Sequence, residues 1–237
     1  MTRKRLLDAV MVAGTVTVVA EATPRMRWIT VGGPAVTRLA WTPGQHVRIQ
    51  VGTESGVLDR LFGALRTYSV WDRTDDGLRL CVLDHGDGPG SRWGRTARVG
   101  DRVVLLRPEG NLVLRAGAYH LFVGEETASV AFGPMMRALP DPDTVHAVVE
   151  VADESDRLPL SDRVTWAFRR GTSAASSESL VKAVRALDLP TEPGVAYVAG
   201  EARTIQAVRA HLVQDRGWPR RSVVTKPFWA PGRTGLD

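Results

Sequence analysis

A single cysteine, Cys81, stands among 237 residues. One thiol excludes a disulfide framework, a Cys-x-x-Cys metal site and a cysteine-ligated iron–sulfur cluster. It suits a reducing, cytoplasmic compartment. Histidine is scarce too, with five in all and no cluster, so no protein-held catalytic metal is expected. Lysine is nearly absent: only Lys4, Lys182 and Lys226 occur, which leaves 28 of the 31 basic residues as arginine. Arginine grips phosphates and carboxylates with two parallel donors. No apolar run is long enough to span a bilayer. The N-terminus imitates a signal peptide, with Arg3-Lys4-Arg5 before an apolar stretch and Ala20-Glu21-Ala22 after it. Asp8 interrupts that stretch, and Thr15 and Thr17 alternate with Val16 and Val18. That alternation predicts a β-strand rather than a leader.

What is present is ordinary globular composition, 43% apolar and 24% charged, enough for one large or two small domains with a buried core. The net charge is +5. Residues 201–237 carry Arg203, Arg209, Arg216, Arg220, Arg221, Lys226 and Arg233 against Glu201, Asp215 and Asp237, a net of +4. An anionic partner is therefore expected near the C-terminal end. Nucleic acid is not expected, because no basic run is interleaved with aromatics and no helix-turn-helix or zinc-finger spacing occurs. The absence of a convincing Ser-His-Asp set or carboxylate pair excludes hydrolase readings.

Residues 9–115 show about six short strands. They run over 9–22, Met26 to Val31, His46 to Val51, Thr67 to Trp71, Leu78 to Leu83 and Arg102 to Leu106, with turns at Gly32-Gly33-Pro34, Asp75-Asp76-Gly77 and Gly100-Asp101. This is the pattern of an antiparallel barrel. After Arg115-Ala116-Gly117 the pattern changes. Strands at Tyr119 to Val123, Val145 to Val151, Val164 to Phe168 and Val195 to Ala199 alternate with helices at Ala128 to Leu139, Ser179 to Leu187 and Ala202 to Arg216. Alternation of this kind predicts a parallel α/β sheet. The expected fold is a β-barrel domain over 1–115 and an α/β, nucleotide-binding-like domain over 116–237.

Two motifs carry chemistry. In Arg66-Thr67-Tyr68-Ser69, strand geometry puts Arg66 and Tyr68 on one face and Thr67 and Ser69 on the other. A cation beside an aromatic ring, with a hydroxyl to meet a heterocycle edge, suits a flavin; an ordinary hairpin strand with an exposed arginine is the plain alternative. In His85-Gly86-Asp87-Gly88-Pro89-Gly90-Ser91-Arg92-Trp93, the glycines let backbone N–H groups approach a ligand. Ser91 is expected to cap a helix starting near Arg92, where a pyrophosphate would sit; a surface Gly/Pro loop is the alternative. Among other residues, Trp28, Trp41 and Trp166 are expected in packing, Cys81 as buried filler, Met135-Met136 in a helix core and His211 at the surface. Trp229 is expected to cover a flavin or substrate.

The order of motifs resembles the siderophore-interacting proteins, FAD-containing ferric-siderophore reductases of the ferredoxin-reductase-like superfamily. The resemblance runs from Thr23-Pro24-Arg25-Met26-Arg27 to the C-terminus. It includes Arg66-Thr67-Tyr68-Ser69-Val70, the Gly88 to Trp93 loop, Gly124-Glu125-Glu126-Thr127-Ala128, Val164-Thr165-Trp166 with Arg169, Ala199-Gly200-Glu201-Ala202 and Phe228-Trp229. The resemblance implies FAD held between two domains. Arg66, Thr67, Tyr68 and Ser69 would hold the isoalloxazine and its chain; His85, Gly88, Gly90, Ser91 and Trp93 the ribityl and pyrophosphate groups; Thr127 and Ala128 would meet the cofactor from the second domain, Thr127 also capping a helix. It further implies NADPH or NADH as donor and a ferric siderophore as acceptor, received by Lys226, Trp229 and Arg233. Two departures stand out: Gly90 replaces the family's alanine, and Ala230, followed by an extra Pro231, replaces its arginine. Asp153 and Glu154 disfavour a 2′-phosphate and Arg169-Arg170 favour one, so the nicotinamide choice stays open. Alternative expectations are a flavin reductase serving an oxygenase or other redox partner, and a siderophore- or flavin-binding protein without turnover.

Overall fold

The computed structural model describes residues 11–51 and 65–233; Arg3-Lys4-Arg5 and Asp8 lie outside them. The chain divides into two compact units, residues 1–111 and 112–237.

The first unit is a closed antiparallel barrel. Its strands are β1 (Met11–Thr23), β2 (Met26–Gly32), β3 (His46–Gln50), β4 (Leu65–Thr74), β5 (Gly77–Leu83) and β6 (Arg102–Leu106), in the order β1-β2-β5-β4-β3-β6. Alternation drives the closure: along the start of β1, Val12, Gly14 and Val16 are buried while Ala13 and Thr15 are exposed. Val16, Ile29, Val31, Ile49, Val70, Leu78, Leu80 and Leu105 fill the interior. The alternation expected across Thr15 to Val18 breaks at Thr17. The register slips between Val16 and Val18, and Val18 emerges 39% exposed. A bulge inserts one residue and reverses the phase of all that follow. Among the described residues of this unit, helix α1 (Pro89–Thr96) follows β5.

The second unit is a five-stranded sheet in the order β11-β10-β7-β8-β9, every pair parallel. Its strands are β7 (His120–Glu125), β8 (Val145–Val151), β9 (Val164–Phe168), β10 (Val195–Glu201) and β11 (Val223–Trp229). Every residue of β7 and β10 is buried, as a sheet covered on both faces requires. Helix α2 (Glu126–Arg137) packs Ala128, Ala131, Phe132 and Met135 against Phe122, Ala147 and Tyr197 on one face. Helices α3 (Glu178–Arg185) and α4 (Ala202–Ala210) pack Leu180, Val184, Ile205 and Val208 against Leu121, Val148 and Val198 on the other. The chain turns right to β8 and left to β10 from the central β7, so a topological switch point lies between β7 and β10, the position where open α/β sheets bind ligands. Gly124 is needed there: a Cβ on it would meet Ala128 Cβ at 2.4 Å and the Ala199 carbonyl oxygen at 2.5 Å.

His211 departs from its expected surface position. It is 9% exposed, in a π turn (His211–Asp215) that continues α4. Its Nδ1 lies 2.8 Å from Asp215 Oδ2, and its Nε2 accepts from Arg216 Nε. Cys81, Met135 and Met136 are buried, as expected.

Candidate functional site

In the barrel unit the two sequence motifs come together. Gly90 sits against β4: its carbonyl accepts from the Tyr68 hydroxyl at 3.1 Å. A Cβ at Gly90 would meet Tyr68 Oη at 3.1 Å and Arg66 Cγ at 3.4 Å, so the missing methyl lets α1 approach β4. The Tyr68 and Trp93 rings pack with centroids 5.0 Å apart. Tyr68 is only 9% exposed, and burial raises its phenol pKa. In this position it is a neutral donor that seats α1. Arg66 is half-buried. One of its nitrogens donates to the Leu65 carbonyl, and no carboxylate partner pairs with it among the described residues. Thr67 is exposed and Ser69 half-buried.

Ser91 does not cap this helix. Helix α1 starts three residues before the expected Arg92: Gly88 is the N-cap, extended at φ −63°, ψ 156°, and Pro89 occupies the first turn. Proline fits that position because its absent N–H would have had no helical partner, and it forces the preceding residue to be extended. Ser91 is buried instead, its hydroxyl accepting from the His85 N–H at 3.3 Å. Among the described residues no side chain caps the α1 N-terminus. Arg95 braces the loop before it, donating to Asp84, Asp87 and the Gly86 carbonyl. His85, Gly86 and Gly88 are exposed, with nothing within 4 Å of a Cβ on either glycine. An uncapped helix start, glycine-lined space and an arginine without an acidic partner fit an anionic, phosphate-bearing ligand. The donor set thus fits the flavin dinucleotide that the motifs predict.

The second unit's sheet edge has the opposite chemistry. Glu125, not Thr127, caps α2: its carboxylate accepts the Thr127 N–H at 2.8 Å and the Thr127 hydroxyl at 2.5 Å. Trp229 Nε1 donates to the same carboxylate at 3.0 Å. Gly200, at φ +123°, leaves the room; a Cβ there would meet Glu125 Oε1 at 2.7 Å. Ala128 is wholly buried, its methyl above Gly124, so its side chain seats the helix. Glu126 is paired with Arg169 and accepts the Ala152 N–H at 3.0 Å. Glu150, fully buried, accepts from Arg169, Ser177 and Ser179. Glu201 caps α4, accepting from Arg203 N, Thr204 N, the Thr204 hydroxyl and Ser176 N. Burial opposes the Glu201 charge, but those donors hold its carboxyl below the usual range.

Glu125 differs. Burial first, then the neighbouring Glu126 charge, push its carboxyl up to about 7 against the Thr127 and Trp229 donors. A raised pKa means the folded state binds the extra proton. The stabilising contribution is complete below pH 4.5, the ordinary value, and is lost as pH rises through 7. Glu125→Gln should therefore gain stability relative to the parent chain as pH rises across that window. Melting temperatures taken at several pH values check it; parallel profiles would contradict it.

The expected substrate residues lie on and after β11. Lys226 and Trp229 are half-buried in the strand, and Arg233 is exposed in the turn beyond. Sequence reasoning did not single out Glu125, Glu150 and Glu201, which the structure buries with hydrogen-bond partners. The Gly-Glu pairs at 124–125 and 200–201 were visible, but nothing local announces that a glutamate is buried. It also left Arg169 free to choose between nicotinamides, whereas that guanidinium is spent on Glu126 and Glu150.

Two family models match this chain, "Siderophore-interacting FAD-binding domain" over residues 15–112 and "Siderophore-interacting protein" over residues 117–232. Among curated relatives it is 26% identical over 178 residues to the ferric vibriobactin reductase ViuB of Vibrio cholerae, covering 71% of this chain and 65% of that one. It is 27% identical over 165 residues to the mycobactin import ATP-binding/permease protein IrtA of Mycolicibacterium smegmatis, covering 64% of this chain and 18% of that one. The chain thus spans less than two thirds of either relative. Among solved structures, a siderophore utilization protein from T. fusca superposes with a TM-score of 0.81 at 26% identity, covering 96% of this chain and 95% of that one. With the antiparallel barrel and the parallel sheet each matched by its own family model, and a siderophore utilization protein superposing over 96% of the chain, the chain belongs to the siderophore-interacting protein family.

Proposed function

We propose that this protein is an FAD-dependent reductase that passes electrons from a reduced nicotinamide nucleotide to a ferric siderophore, releasing Fe(II). The observation that carries the reading is the uncapped α1 N-terminus beside half-buried Arg66, in the segment matched by the family's FAD-binding model. Bound FAD would supply the conversion between hydride and single-electron chemistry. Arg66 would neutralise a cofactor phosphate, the Gly88 to Trp93 loop and His85 would hold the pyrophosphate and ribityl chain, and Thr67, Tyr68 and Ser69 would border the isoalloxazine. Within the second unit, Thr127 and Trp229 are both tied to Glu125. Iron release follows from ligand chemistry, because hard oxygen donors hold Fe(II) less tightly than Fe(III). A cytoplasmic setting suits the single free thiol, Cys81; no described helix is long and apolar enough to cross a membrane. Anaerobic titration of the FAD-loaded protein with NADH or NADPH, followed by a ferric siderophore, tests the reading through flavin bleaching and recovery.

Lys226 and Arg233 would attract anionic ferric chelates. Such charges act mainly on encounter rate, an effect screened over roughly 8–10 Å at physiological salt. Lys226→Ala with Arg233→Ala should slow reduction of an anionic ferric siderophore more than it slows flavin reduction, and the loss should shrink as salt rises. Stopped-flow rates for the two half-reactions check this; equal or salt-independent losses would assign the tail a structural role.

A groove between α3 and α4 lined by Lys182, Arg185 and Arg203, all exposed, favours a second reading in which an acidic redox protein exchanges electrons with the flavin. Turnover with an acidic iron–sulfur carrier in place of nicotinamide separates the two.

A further inference from the structure

We infer that the C-terminal edge of the parallel sheet is closed to dinucleotide phosphate, so that Glu125, Glu126 and Glu201 set donor specificity by denying a nicotinamide dinucleotide its usual anchor. The inference rests on the reductase reading and concerns only how the donor is recognised. In open α/β folds a pyrophosphate sits at the N-terminus of the helix that follows the central strand, on free backbone N–H groups. Here that position is filled by the chain itself. At α2 the Glu125 carboxylate takes the Thr127 N–H, and buried Glu126 holds the Ala152 N–H on the adjoining loop. At α4 the Glu201 carboxylate takes the N–H groups of Arg203 and Thr204. At α3 the Ser177 hydroxyl takes the Leu180 N–H.

The charge balance points the same way. Among the described residues, the buried glutamates of this unit, Glu125, Glu126, Glu150 and Glu201, outnumber its buried arginine, Arg169. That cation is committed to Glu126 and Glu150. The exposed cations Arg170 and Arg203 stand at the rim, where solvent and salt weaken attraction. A phosphate entering this edge would have to displace these internal carboxyl groups from their donors and meet the charge of those that are ionised. The contrast is with α1, whose start has no side-chain cap. Phosphate recognition is thereby concentrated on the barrel unit, and the donor is recognised by its nicotinamide half.

The test compares NADH, NADPH and reduced nicotinamide mononucleotide as reductants of the FAD-loaded full chain. A gripped pyrophosphate or 2′-phosphate would separate them by at least about tenfold; the expected second-order rate constants agree within about threefold. Binding is read independently by titrating 2′,5′-ADP against tryptophan fluorescence and by calorimetry, with no saturation expected below about 1 mM. A tenfold preference for either dinucleotide, or 2′,5′-ADP binding below that limit, overturns the inference. Reduction by none of the three leaves the closed edge standing and removes nicotinamide from the reductase reading. The oxidative half-reaction, started from photoreduced protein, tests the siderophore acceptor separately.

Discussion

Replacing Arg169 by alanine should remove about 3–5 kcal/mol of stability from the second unit, the usual cost of leaving a buried charge without its partner. Arg169 is 6% exposed. Its Nη1 lies 2.8 Å from Glu126 Oε2 and 3.4 Å from Glu150 Oε2, and its Nη2 donates to the other Glu126 oxygen. Burial alone would lower the guanidinium pKa, but the hydrogen bond to Glu126 and the charges of Glu126, Glu150 and Glu125 raise it, so this cation is held firmly ionised. Arg169→Met fills much of the volume without the charge and should lose a similar amount. Adding Glu126→Gln to the methionine variant should recover part of the loss, because the amide oxygen still accepts the Ala152 N–H while one uncompensated charge disappears. Urea unfolding followed by circular dichroism measures all three. A loss below about 1 kcal/mol for Arg169→Ala would match an exposed ion pair and contradict the closed carboxylate cluster.

Arg66→Ala should weaken FAD binding by roughly 10–100-fold, since a hydrogen bond to a charged group contributes about 1.5–3 kcal/mol. Arg66 is half-buried; among the described residues it donates one hydrogen bond, to the Leu65 carbonyl, which leaves other donors for a ligand. Arg66→Lys should restore only part of the affinity, because an ammonium lacks the planar fork. Flavin fluorescence quenching during titration of the apoprotein gives the constants. Wild-type affinity in the lysine variant would show that no two-pronged grip on phosphate exists.

The two halves of the fold were legible because their periodicities differ. Alternating Val and Thr in β1 and hairpin turns such as Asp75-Asp76-Gly77 mark a barrel, and apolar runs such as Val145 to Val151 separated by helical spacing mark a parallel sheet. What stayed hidden was what local pattern does not encode. The bulge at Thr17 changes no residue type, so Val18 reads as buried although it is exposed. The start of α1 is capped by glycine, which carries no side-chain signal, and Ser91 draws the assignment three residues too far. The candidate flavin residues were legible as motifs, yet their geometry was not: Tyr68 lies closed under Gly90 and Trp93. The buried carboxylates were least legible of all. Glu126 depends on Arg169, 43 residues away in the chain, and Glu150 on Ser177 and Ser179 across the top of the sheet.

The most direct test of the account mixes photoreduced, FAD-loaded protein anaerobically with a ferric siderophore and an iron(II) chelator in a stopped-flow spectrometer. The account predicts that the oxidised flavin spectrum returns while the iron(II)–chelator colour grows in stoichiometric proportion, and that in Arg66→Ala both signals fall in proportion to the FAD the variant retains. Flavin that stays reduced in the presence of the ferric siderophore, with no iron(II) captured, would contradict it.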